Sequence, residues 1–99
     1  MNQMQQMLQN AQRMQREIAK ANAAIAATEY PVSKNGMVSL VVMGGRTIKS
    51  LDIDDEALDP DNKEMLVETI RLALNEALEQ INQAYDEAEE RITKKGGLF

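Results

Sequence analysis

The sequence contains no cysteine, no histidine and no tryptophan among its 99 residues. Without thiols and imidazoles the chain cannot form disulfides, thiolate nucleophiles, histidine bases or the usual zinc sites. Since no nucleophile can be paired with a base, we expect neither an enzyme nor a resident cofactor, and no small-molecule substrate. The absence of cysteine is also typical of proteins in the reducing cytoplasm.

Aromatic residues and long apolar runs are scarce as well. The three aromatic residues are Tyr30, Tyr85 and Phe99. A chain with so little bulk in its core gains burial by pairing with a second copy. No apolar stretch approaches the roughly 20 residues of a membrane span. We therefore expect one soluble, cytoplasmic domain over residues 1–99, without a membrane partner.

Acidic residues are few in the first half of the chain and abundant in the second. Residues 1–51 carry six basic and two acidic side chains, whereas residues 52–99 carry five basic and fourteen acidic ones. The halves thus have net charges of +4 and −9, and the overall charge of −5 conceals a cationic region. The stretch MQQMLQNAQRMQREIAK, residues 4–20, holds three cations and one acid.

The pattern of residues predicts an α+β fold. We expect a long helix over residues 1–28, a three-stranded antiparallel sheet over 29–53, a second long helix over 60–95 and a tail at 96–99. In the first helix, two sevenfold rows form a heptad-like seam that predicts weak, close helix pairing. The rows are Met4, Ala11, Ile18 and Ile25, and Met7, Met14, Ala21 and Thr28. Core packing is the default interpretation of these methionines, and a protein-binding groove is the alternative.

The predicted sheet is punctuated by two pairs suited to hairpin turns, Asn35-Gly36 and Gly44-Gly45. Its middle strand, 37–43, is apolar on both faces, and the third strand is predicted at 46–53. One face is expected to pack on a helix of the same chain and the other to require a partner. The inward set is Val38, Leu40 and Val42, and the outward set is Met37, Val41 and Met43.

The second helix has two candidate caps, Asp59 followed by Pro60 or Asp61 followed by Glu64. One side of the helix is an apolar line, and the other is acidic until Arg91. The apolar line is Leu66, Ile70, Ala73, Ala77, Ile81, Ala84, Ala88 and Ile92. Each long helix would measure roughly 40–50 Å. The radius of gyration of a compact domain of this size is only about 13 Å, so the helices are expected to overhang the sheet as arms.

An acidic run lies between the sheet and the second helix. Its members are Asp52, Asp54, Asp55, Glu56, Asp59 and Asp61. The run lacks the glycine and the terminal bidentate glutamate of a calcium loop. Capping accounts for two of its members, so we expect no metal site.

The order of elements and the segment LDIDDEALDPDNKEMLVETIRLALNEALEQI, residues 51–81, resemble the YbaB/EbfC family of bacterial nucleoid-associated proteins. The Met- and Gln-rich opening with AQRMQ is a second, less specific match. The resemblance implies a homodimer joined through its sheets, with helical arms in a tweezer-like shape. It also implies binding to double-stranded DNA with little sequence preference, and association with the nucleoid.

The resemblance transfers to this chain only at basic positions of the two helices. The DNA-binding candidates are Arg13, Arg16 and Lys20 on the first helix and Arg91, Lys94 and Lys95 at the end of the second. Spacings of three and four residues place the first three on one helical face. A solvated helix side is the alternative interpretation of that face. The alternative function is a scaffold dimer that grips a protein partner through its Met/Ala seam.

Overall fold

Two helices and a small sheet make up the structure. The computed structural model describes residues 2–95, and the tail predicted at 96–99 lies outside the described residues. The elements are α1 (Gln3–Ala26), β1 (Glu29–Lys34), β2 (Val38–Met43), β3 (Ile48–Ile53) and α2 (Lys63–Lys95). Two single turns of 3₁₀ helix, Asp55–Ala57 and Pro60–Asn62, connect β3 to α2. The predicted α+β order is confirmed.

The helix ends follow local hydrogen bonds. Asn2 caps α1, because its Oδ1 accepts a hydrogen bond of 2.8 Å from the Gln5 amide. The helix ends at Ala26, two residues before the predicted end, and Thr28 lies beyond the helix and leaves the predicted seam. Asp59 Oδ1 accepts a 2.9 Å hydrogen bond from the Asp61 amide, so the first of the two candidate caps is formed. It caps the 3₁₀ turn, and α2 therefore begins at Lys63 instead of residue 60.

The sheet is antiparallel, with β2 between β1 and β3. The hairpin turn predicted at Asn35-Gly36 is present, and both residues have positive φ, 55° and 66°, as in a type I′ turn. The second turn is different, because the residue in the left-handed region is Arg46, with φ 68°. Such a three-residue turn delays the start of β3 to Ile48, two residues after the predicted position.

One face of the sheet packs against α2. The central cluster of buried residues is Val32, Val38, Leu40, Val42, Ala73, Ala77 and Ile81. The predicted inward set of β2 is therefore confirmed, and the alanines allow α2 to approach the strands closely. Met37 was predicted to face outward but packs against this cluster. It lies in the turn before β2, where the alternation of a strand does not apply.

The turn between β2 and β3 connects the sheet to both helices. The amides of Gly44 and Gly45 donate to the carbonyl oxygens of Thr28 and Ala26, at 2.9 and 3.1 Å. From the other side, the Tyr85 hydroxyl of α2 donates to the Gly44 carbonyl oxygen at 2.8 Å. We call this contact region the junction. It fixes the end of α1 and the middle of α2 at the same point.

Arg46 strengthens the junction. Its guanidinium carbon lies 4.9 Å from the centroid of the Tyr85 ring, and Nη2 donates to Asn82 Oδ1 at 2.6 Å. A non-glycine residue in the left-handed region costs roughly 1–2 kcal/mol. The stacking on Tyr85 and the hydrogen bond to Asn82 offset that cost.

Beyond the junction the two helices run side by side as an arm. The half-buried residues of α1 lie on the later part of the predicted seam, where α1 packs against α2. They are Met14, Ile18, Ala21, Ile25 and the adjacent Ala26. The core interpretation is wrong for Met4 and Met7, which are 78% and 66% exposed. The molecule measures 71 × 21 × 14 Å, and its radius of gyration of 19.8 Å far exceeds the value for a compact domain. Within residues 2–95 neither helix combines the length and hydrophobicity needed to cross a membrane.

The close approach at the junction predicts a sharp difference between two neighbouring glycines. A Cβ atom on Gly44 would lie 1.8 Å from the Ile25 carbonyl oxygen, whereas one on Gly45 would have no neighbour closer than 3.7 Å. Gly44→Ala should therefore lower the free energy of unfolding by about 2 kcal/mol or more, because backbone must move. Urea denaturation measures this change. Gly45→Ala is the control and should be nearly neutral; equal effects of the two substitutions would contradict the close approach.

Candidate nucleic-acid interface

Three basic side chains form a ridge on the outer side of α1. Arg13, Arg16 and Lys20, here called the basic ridge, are all exposed. At 3.6 residues per turn Arg16 lies opposite the seam that packs against α2, and Arg13 and Lys20 lie between that side and one flank of the helix. The only carboxylate of α1 is Glu17, and no ridge residue forms a salt bridge with any residue in the range 2–95. Glu17 lies four residues after Arg13 and three before Lys20, so the ridge has one carboxylate beside it and keeps a net positive charge.

Three other cations of the protein, on the sheet and in the first part of α2, are held by carboxylates. Lys34 Nζ lies 3.2 Å from Glu76 Oε1, and Lys49 Nζ lies 2.6 Å from Glu29 Oε1. Arg71 pairs with Glu68 one turn earlier on α2. Such pairing reduces the local positive potential that these side chains offer to an anionic ligand, so they contribute less than the ridge.

The cations at the end of α2 have a different environment from the ridge. Arg91 is exposed, Lys94 Nζ lies 2.8 Å from Glu90 Oε1, and the side chain of Lys95 lies outside the described residues. These cations follow four carboxylates on the same helix: Asp86, Glu87, Glu89 and Glu90. The two predicted groups thus lie on different helices, and of the two only the group at the end of α2 includes a cation paired with a carboxylate within residues 2–95.

The pair at the end of α2 changes the titration of both partners. The hydrogen bond from Lys94, with the attraction of its charge, lowers the pKa of the Glu90 carboxyl below its usual value. The same hydrogen bond raises the pKa of the Lys94 ammonium. At neutral pH both groups are charged. The negative charge of Glu90 therefore weakens the attraction of Lys94 for an anionic ligand.

The glutamines of α1 add neutral donors to the same side. Gln5 and Gln9 are exposed and precede the ridge along its face. Glutamine amides can donate to phosphate oxygens or to base edges. The basic ridge and these glutamines thus form a continuous face without a carboxylate partner in the described residues.

A second surface was not foreseen from the sequence. Ile48 and Leu51 pair with Val42 and Leu40 in the sheet register and so lie on its inward face. They are nevertheless 55% and 48% exposed, because α2 packs across β1 and β2 and leaves the inward side of β3 largely uncovered. The exposure depends on the path of α2, which the alternation of apolar residues in β3 does not reveal.

The residues of the acidic run lie at the end of β3, in the two 3₁₀ turns and at the cap position before each turn. Asp59 serves as a cap. Within residues 2–95, no three carboxylates come close enough together to hold a metal ion.

The geometry defines a small α+β protein with a cationic helical arm, and comparison with known proteins places it in a family. The chain belongs to the YbaB/EbfC DNA-binding family, whose model matches residues 1–97. It is 36% identical over 87 residues to a nucleoid-associated protein of Mycoplasmopsis pulmonis, covering 88% of this chain and 86% of that protein. A nucleoid-associated protein of Chloroflexus aurantiacus is 37% identical over 94 residues, covering 94% of this chain and 92% of the relative. The resemblance stated from the sequence is confirmed.

The pair at the end of α2 predicts a change in a titration curve. Lys94→Met removes the hydrogen-bond donor, so the pKa of Glu90 should rise toward its usual value. Carboxyl chemical shifts followed by NMR against pH measure this change. Because the pKa is lowered in the folded protein, the pair stabilises α2 above the usual glutamate pKa and loses that effect as the pH falls through the lowered value.

Arg91→Gln is the matched control, because it removes one positive charge near the same helix end and leaves the bond between Lys94 and Glu90 in place. A Glu90 pKa that rises equally in both variants would assign the shift to general charge and not to this pair.

Proposed function

We propose that this protein is a nucleoid-associated protein that binds double-stranded DNA as a homodimer, with the basic ridge of α1 against the phosphates. The observation that carries the proposal is the exposed ridge of Arg13, Arg16 and Lys20, whose cations have no salt-bridge partner among residues 2–95. Membership of a DNA-binding family and the names of the relatives support DNA as the ligand and the nucleoid as the location. Residues 1–99 act as one binding unit.

The acidic overall charge is compatible with this ligand. The ridge lies on the side of α1 away from α2, and an α-helix with its side chains is about 10–12 Å across. The Debye length at physiological salt is about 8 Å. The carboxylates on the far side of α2 are therefore largely screened from a duplex that touches the ridge, while they repel DNA from the opposite side of the arm.

The contacts available favour binding with little sequence preference. The ridge supplies guanidinium and ammonium groups, which pair with phosphates that are the same at every base pair. Selectivity then comes from the shape and deformability of the duplex. Arg91, Lys94 and Lys95 supply secondary phosphate contacts near the end of α2, weakened by the neighbouring carboxylates.

The homodimer forms through the β3 side of the sheet. β3 is an edge strand, and no strand among residues 2–95 pairs with its outer row of backbone groups. The other edge strand, β1, contains Pro31, which cannot donate to a ladder. Next to the β3 edge lie the exposed Ile48 and Leu51. A second copy that covers them buries apolar surface that the monomer leaves in water. The two cationic arms then belong to one particle with six ridge cations.

The proposed dimer predicts opposite outcomes for two adjacent residues of β3. Leu51→Arg places a charge on the exposed inward face and should convert the dimer to a monomer of 11.1 kDa. Ser50→Arg places the same charge on the other face, opposite Val41 in the register, and should leave the dimer intact. Light scattering after size exclusion measures the mass, and circular dichroism verifies the fold.

The reverse pattern, in which Ser50→Arg alone dissociates the dimer, would assign the interface to the outward face that the sequence predicted. A monomeric parent protein would contradict the homodimer altogether.

DNA binding through the ridge predicts a defined salt dependence. If all six ridge cations of a dimer neutralise phosphates, the slope of log K against log salt concentration is about −5. Arg16→Gln removes two of these contacts per dimer and should reduce the slope to about −3.5. Fluorescence anisotropy with a random duplex at several ionic strengths measures both slopes.

Lys63→Gln is the matched control, since Lys63 is an exposed cation at the start of α2 with no salt bridge among residues 2–95. It changes the net charge by the same amount and should leave the slope unchanged. Equal effects of both substitutions would assign the salt dependence to overall charge. Absence of any binding at low salt, together with capture of a protein partner, would favour the scaffold function instead.

A further inference from the structure

The first eleven described residues of α1 and its cap form an unusual tip. Residues 2–12 contain no charged side chain. Met4, Met7 and Leu8 are 78%, 66% and 60% exposed, and Ala11 is exposed beside them. Their spacings place all four on one side of the helix. We call this set the tip stripe.

The tip stripe continues the seam through which α1 packs against α2. The junction joins residues 25–26 of α1 to Tyr85 of α2, and from there the described residues continue to Gln3 in α1 and to Lys95 in α2. At 1.5 Å per residue, the described part of α1 reaches roughly 18 Å farther on this side than the described part of α2. The burial agrees, because seam residues from Met14 onward are half-buried and the tip stripe is exposed.

We propose that the tip stripe pairs with the tip stripe of a second dimer, so that dimers bound to DNA associate through the ends of their α1 arms. This inference rests on the proposed DNA binding. The basic ridge lies on the opposite side of α1, so a duplex that contacts the ridge leaves the tip stripe turned away from it. Both contacts can therefore exist at once on the same helix.

A second copy fits this stripe better than other occupants. Two tips carry no charged side chains over residues 2–12, so they meet without like-charge repulsion, and their glutamines and asparagines flank the stripe with neutral hydrogen-bonding groups. The seam that the stripe continues packs on α2 from Met14 onward, so a stripe of the same spacing suits a close helix pair. DNA fits the stripe less well, because the basic ridge would face solvent if a duplex lay against the tip stripe.

The size of the stripe determines where the pairing occurs. Three large side chains and one alanine per tip cover much less than the roughly 1,200 Å² of a stable protein interface. Free dimers should therefore not associate at micromolar concentration. Neighbouring dimers on one duplex are held at a high effective concentration, which allows a weak contact to form. The expected consequence is cooperative binding to long DNA.

Cross-linking tests the contact directly, because the chain has no cysteine of its own. The full chain with Met7→Cys should cross-link with a short bismaleimide on a duplex long enough for several dimers. It should not cross-link when free or on a duplex that accommodates one dimer. Gln9→Cys, on the opposite side of the same helix, is the matched control and should not cross-link in any condition.

Cross-linking of Met7→Cys in the free protein or on the short duplex would show that tips meet within one dimer and would overturn the proposal. Equal cross-linking at both positions would overturn it as well, because the contact would then lack a defined face.

A binding measurement gives an independent test. The variant Met4→Gln, Met7→Gln, Leu8→Gln keeps residues of good helix propensity and removes the apolar surface. Its apparent affinity for the long duplex should fall by about tenfold, with loss of cooperativity. Its affinity for the short duplex should remain that of the parent protein.

The possible failures are distinguishable. An equal loss on the short duplex would assign the stripe to DNA contact, and no loss on either duplex would show that the stripe has no role in association; both results overturn the inference alone. A parent protein that does not bind the short duplex would overturn the proposed function and this inference with it.

Discussion

The arrangement of the molecule depends on the contact between the β2–β3 turn and the two helices. Gly44 lies so close to the end of α1 that a single added carbon would meet the Ile25 carbonyl oxygen at 1.8 Å. Its own carbonyl oxygen accepts the hydroxyl of Tyr85 from α2 at 2.8 Å. Because both helices are fixed to the same turn, they leave the sheet together and support one another along a seam of small and flexible side chains. The orientation of the basic ridge and the reach of the tip stripe both depend on this common origin.

The fold also explains how a protein of net charge −5 can present a cationic surface. The chain places its cationic half and its acidic half on two different helices and packs their apolar sides together. Each polar side then faces outward in its own direction. The separation would be lost if α1 carried its cations beside α2, where the carboxylates of that helix would compensate them within a Debye length.

Periodicity and turn residues were sufficient to predict the elements, but not the contacts that depend on several elements together. The sevenfold rows predicted α1, and the Asn35-Gly36 pair predicted a turn. The structure has this turn, with a positive φ at both residues. The second turn was misjudged in detail, since Gly44 is required by the proximity of α1 and Arg46 takes the left-handed conformation. The basic ridge followed from spacing alone. The bond between Lys94 and Glu90 also has a recognisable four-residue spacing, whereas the exposure of Ile48 and Leu51 depends on where α2 crosses the sheet.

The free end of α1 has a consequence for how relatives of this protein can diversify. The apolar seam repeats every seven residues, and every side chain of residues 2–13 is exposed. Inserting or deleting a whole heptad there would change the reach of the arm by about 10 Å while keeping each face in its orientation. The sheet and the junction would be untouched. Arm length is thus a property that evolution can adjust independently of folding.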